Sequence, residues 1–94
     1  MYGVIVEVRI DTDREEEARK MLEEVVVPRA KGLSGFSKGH WLRSLQGDRG
    51  RSVLLFESEA AARAAADQIR SEGPPPGVPV TMENVDAYEV LAQA

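Results

Sequence analysis

Cysteine is absent from this sequence of 94 residues, which excludes disulfides, thiolate catalysis and cysteine-held zinc. Histidine occurs once, as His40, so a histidine-rich metal site is excluded as well and no metal site is expected. No apolar run approaches the roughly 20 residues needed to span a bilayer. The opening stretch Met1–Glu7 carries no basic region before its apolar residues and reads as a strand rather than a signal peptide. The expectation is a cytoplasmic protein with no membrane partner. Clustered positive charge is lacking too: the net charge is −4 and the pI about 5.0. The arginines are scattered and mostly lie beside carboxylates, as in Arg14-Glu15-Glu16-Glu17, so a nucleic-acid partner is not expected.

What is present is an ordinary globular composition, 43% apolar and 30% charged. The length suits a single domain over residues 1–94, which buries roughly 60–65% of its unfolded surface. Residues 2–10 alternate, with Val4, Val6, Val8 and Ile10 on one face and Ile5, Glu7 and Arg9 on the other, the signature of a strand. Asp11-Thr12-Asp13 then supplies helix-start signals, with Thr12 and Glu15, or Asp13 and Glu16, spaced for a capping box. Ala18, Met21, Leu22, Val25 and Val26 make one apolar stripe, and Pro28 ends or kinks the helix near Val27.

A second strand is predicted over residues 36–45, with Phe36, His40 and Leu42 on one side and Ser37, Gly39, Trp41 and Arg43 on the other. The Gly47–Gly50 turn leads to a third strand over residues 51–57, completing a hairpin. It resembles a phosphate loop only superficially, because no Lys-Ser/Thr pair or helix follows. Ser58 caps a second helix running to about Ser71, with Ala62, Ala65, Ala66 and Ile69 as its inner stripe. The four prolines between Gly73 and Pro79 require a loop, and the last strand falls within Val80–Leu91. The fold class is therefore α+β, a ferredoxin-like βαββαβ unit with a four-stranded antiparallel sheet and two helices on one face.

The third strand is apolar on both sides, Val53 and Leu55 on one and Leu54 and Phe56 on the other. Two helices cover only one side, and the chain has no spare element for the second. Pairing of two sheets in a homodimer is the simplest cover, with Ile5 and Trp41 as further contributors.

Several residues together resemble a known group of proteins: the first strand, the Pro28 break, the Gly35-Phe36 step, the Phe56-Glu57-Ser58-Glu59-Ala60 junction and the closing Tyr88-Glu89-Val90. They resemble the dimeric α+β barrel superfamily, in its antibiotic biosynthesis monooxygenase-like branch, over nearly the whole chain. The resemblance implies a pocket between sheet and helices in each protomer. It also implies binding or oxidation of a small aromatic or polyketide-like compound without metal, flavin or haem. Its monooxygenase and haem-degrading branches use an asparagine on the first strand, and the haem branch a histidine on a helix. Here the only asparagine is Asn84 and the only histidine lies on the second predicted strand, which disfavours the haem-degrading reading.

Five side chains are candidates for chemistry, each with a plainer reading beside it. Histidine is the natural proton shuttle near neutral pH, so His40 is the candidate catalytic group, or else a strand residue at an edge or interface. Trp41 can stack on a planar ligand or fill the interface. Glu7, with Arg9, is either pocket acid and anion clamp or a salt-bridge partner, with Arg43 or Glu89, across the dimer. Tyr2 and Tyr88 can donate phenolic hydrogen bonds or pack at strand ends. Two functions from different classes remain open: a cofactor-independent small-molecule binder or enzyme, and a non-catalytic dimeric module for ligand sensing or assembly.

Overall fold

The computed structural model describes residues 1–94. Strand β1 (Tyr2–Ile10) runs through the middle of the sheet. It is flanked by β3 (Arg49–Phe56) and β4 (Val80–Glu89), and β2 (Phe36–Arg43) lies outside β3, giving the order β2-β3-β1-β4 with every pair antiparallel. Three helical pieces form an arm between β1 and β2: α1 (Glu15–Met21), a π-helical turn (Leu22–Val26) and α2 (Val27–Lys31). Helix α3 (Glu59–Glu72) connects β3 to β4. This is the expected βαββαβ order.

Register assigns the two faces of the sheet. Val4 pairs with Leu54 and Ala87, and Val6 with Ser52 and Val85, so these residues share the inner face beneath the helices. Ile5 pairs with Val53 and Asp86 on the outer face. The core combines Val4, Val6, Leu54, Phe56 and Val85 with Ala30, Ala62, Ala65 and Ala66. Small side chains bring α3 down onto β1, β3 and β4. Ser58 caps it as its sequence position predicts, its hydroxyl accepting from the Ala61 N–H at 3.1 Å.

Four local expectations are corrected. Neither capping box forms at the start of the arm. A 3₁₀ turn over Thr12–Arg14 comes first, and the Asp11 carboxylate accepts from the Asp13 N–H at 3.1 Å. Pro28 does not end the arm, which continues through it and changes from π-helical to α-helical winding at Val27, the position where an end or a kink was expected. The Val27 N–H reaches back five residues to the Leu22 carbonyl, and this wide turn places the proline in the first turn of α2. The same turn shifts the apolar stripe, so Val25 is left 38% exposed. In β2, a register shift between Phe36 and Lys38 turns Phe36 to the inner face with Trp41 rather than to the side of His40 and Leu42. There its ring meets Phe56 edge-on, with centroids 6.0 Å apart.

Candidate functional site

The inner face of the sheet is filled at one end and open at the other. Phe36, Phe56, Val4 and Tyr2 belong to or pack against the filled end. Gly35 shapes the same end. It has a φ of 78°, and a Cβ there would lie 2.6 Å from the Ala61 Cβ, so the exit of the arm and the start of α3 come together only over a bare backbone. Towards the far ends of β1 and β4 the arm separates from the sheet. Neither α1 nor the π turn buries a residue, and the arm's one buried side chain is Ala30 in α2.

The gap is a cavity of about 510 Å³, within the range of small-molecule sites and far larger than the voids of a close-packed interior. Its floor is Val6, Val8, Ile10 and Leu54, with Val80 and Met82 to one side and Trp41 to the other. Ala18, Met21, Leu22 and Val26 make the roof, and Ala30, Leu33 and Ile69 close its inner end.

The charged residues that border the cavity, Arg51 of β3 among them, all reach solvent at its rim. Arg29 on α2 holds Glu72 at the end of α3 at 2.6 Å, and Arg43 at the end of β2 holds Glu15 at the start of α1. Both pairs tie the arm to the rest of the protein across the cavity. Arg19 and Glu23 also border it and take part in no salt bridge. Two arginines elsewhere have raised pKa values. Arg9 is raised chiefly by the Coulombic pull of Glu83, then by that of Asp48, and Arg14 chiefly by its hydrogen bond to Glu17. Neither lines the cavity.

Of the five candidate side chains, the structure places Trp41 alone on the cavity wall. It faces the helices, because Trp41 pairs with Ser52 on the inner face, rather than the outer surface where an interface contribution was expected. His40 pairs with Val53 and stands exposed on the outer face, away from the cavity. Glu7 is on that face as well and holds Arg51 of its own chain at 2.7 Å. Arg9 likewise pairs within the chain, with Asp48 and Glu83 at 3.3 Å each. Tyr88, 45% exposed, faces outward beside Gly3. Tyr2 packs at the filled end and does not reach the open space. The roof residues Met21, Leu22 and Val26 were read only as a helix stripe. The available signal was their bulk, set against the alanines of α3. No group of three or more His, Asp or Glu side chains is arranged to hold a metal ion.

No protein-family profile matches the chain, and no curated protein matches it in sequence. Solved structures do match. The haem-degrading protein MhuD of Mycobacterium tuberculosis, with two haems bound in its active site, superposes with a TM-score of 0.77 at 20% identity, over 100% of this chain and 99% of that one. A protein of Deinococcus radiodurans described as an antibiotic biosynthesis monooxygenase gives 0.68 at 12% identity, over 100% and 96%. The ActVA-Orf6 monooxygenase of Streptomyces coelicolor, in complex with nanaomycin D, gives 0.62 at 16% identity, over 99% and 89%. The class is thereby defined by fold: this chain shares the ferredoxin-like α+β fold of these haem-degrading and monooxygenase structures.

The donor set of the cavity does not suit a ligated haem. Haem iron is held by imidazole, thiolate, phenolate or thioether. The chain's one imidazole, His40, is on the opposite face, cysteine is absent and neither tyrosine lines the space. Only the thioethers of Met21 and Met82 border it, and a thioether holds haem iron as the partner of an imidazole, which the cavity lacks.

Proposed function

We propose that this protein binds a small, largely apolar molecule of aromatic or polyketide-like class between the arm and the sheet. The cavity of about 510 Å³, apolar on floor and roof and charged only at its mouth, carries this reading. The nanaomycin D held by the similarly folded Streptomyces monooxygenase supports the ligand class. Oxidation of such a ligand without a cofactor would need a proton acceptor near the ring. The cavity offers carboxylates only at its mouth, and Glu15 and Glu72 among them are engaged with arginines. That observation favours a ligand-binding, non-catalytic module as the second reading.

The reading includes a homodimer paired through the outer sheet face, in a cytoplasmic setting. Ile5, Val53 and Leu55 form an apolar centre there, extended by Leu42 at 55% exposure and by Tyr88. No element of the chain covers them. His40, Glu7 and Tyr88 then belong to the pairing surface, which accounts for their distance from the cavity.

Thermal unfolding with a panel of quinones tests the ligand. At a hundredfold excess over Kd, bound ligand adds about 2.7 kcal/mol, a rise in Tm on the order of 10 °C for a domain of this size. No rise with any planar apolar compound overturns the reading. The dimer is tested by Leu55→Lys in analytical ultracentrifugation: a dimeric wild type and a monomeric variant are expected, and a monomeric wild type refutes it.

A further inference from the structure

Trp41 sits in an unusual seat. Two residues earlier on the same face of β2 is Gly39. A Cβ at Gly39 would lie 2.8 Å from Cη2 and 3.0 Å from Cζ3 of the Trp41 indole, and 3.1 Å from Cζ of Phe36. The far edge of the six-membered ring therefore lies over bare backbone, folded back along the strand towards Phe36. Phe36 is itself fixed edge-on against Phe56 at 6.0 Å. Any side chain at residue 39 has to displace the indole, and open space lies on the cavity side.

We infer that Gly39 is a positioning residue that holds the Trp41 indole as a flat stacking wall, so that the cavity selects planar fused-ring ligands over flexible alkyl chains. This deepens the small-molecule reading of the same cavity and rests on it. A preset indole face adds ring–ring attraction for a flat ligand, whereas an alkyl chain of equal area gains only from leaving water. Because the wall stands on a strand, it needs no reordering when the ligand arrives.

Trp41 is the only tryptophan, so its emission reports on this wall alone. The test compares a hydroxyanthraquinone with decanoic acid by calorimetry, and follows quenching of Trp41 fluorescence. In the wild type the anthraquinone quenches the emission saturably. In Gly39→Ala the emission maximum shifts and the anthraquinone weakens about tenfold, equivalent to about 1.4 kcal/mol, while decanoate stays within about twofold. Trp41→Leu, read by calorimetry, shows the same split and carries the test should Gly39→Ala fail to fold. Equal weakening of both probes, or of neither, overturns the inference and leaves the cavity reading standing. Failure of both probes to bind the wild type overturns both.

Discussion

The two helical connections cover the same sheet face in opposite ways. Helix α3 presents Ala62, Ala65 and Ala66, all buried, and sits directly on the strands, with Arg70 donating to the Val85 carbonyl at 2.8 Å as a further tie. The arm presents Met21, Leu22 and Val26, larger and more apolar, yet buries nothing until Ala30. Side-chain size sets the spacing between layers. Alanines close the gap completely, whereas the bulkier side chains of the arm stand over open space, with ion pairs tying its edges to the rest of the protein. Close packing and open space are thus divided between two elements of similar hydrophobic pattern.

Substitutions that treat the two sides alike should expose the division. Phe56→Ala, in the core that α3 covers, is expected to cost about 3–5 kcal/mol in urea unfolding. Ala65→Leu, which forces α3 off the strands, should cost about 1–3 kcal/mol. Leu22→Ala borders open space instead of filling a packed one, so its expected cost is under about 1 kcal/mol, below the usual range for a core leucine. Its effect should appear instead as weaker binding in calorimetry. A Leu22→Ala cost equal to that of Phe56→Ala would mean that the arm packs as tightly as α3 in solution. Arg29→Ala should cost about 0–1 kcal/mol, shrinking as salt is added, since both partners of the ion pair are half exposed. A larger, salt-independent loss would make that pair more than a loose tie across the mouth.

Strand alternation in β1 and β3, the Ser58 cap and the alanine stripe of α3 were all readable from residue order, because each depends on neighbours a few positions away. The face occupied by Phe36 was not, since it turns on a register shift that only the pairing with β3 reveals. Val25 was misplaced for a related reason: the 3.6-residue period fails across a π turn, and a proline alone does not announce one. The cavity was legible only through the family resemblance, which implied a pocket between sheet and helices, and not from the residues themselves. Its volume belongs to the distance between two layers, while the sequence shows only that each layer has an apolar side. His40 drew notice as the sole imidazole, but a residue type carries no information about which side of a sheet it will occupy.

The π turn at Leu22–Val26 has a further meaning for how this arm tolerates change. It inserts one residue beyond what an α-helix would need, and so sets the angular phase of everything after it. Wound as a regular α-helix at the same length, these residues would rotate α2 by about 100° about its axis, taking Ala30 out of the core and Arg29 away from Glu72. Deleting a single residue there would instead restore a regular helix with α2 near its present phase, so the arm can lose a residue at this turn more cheaply than it can lose the turn.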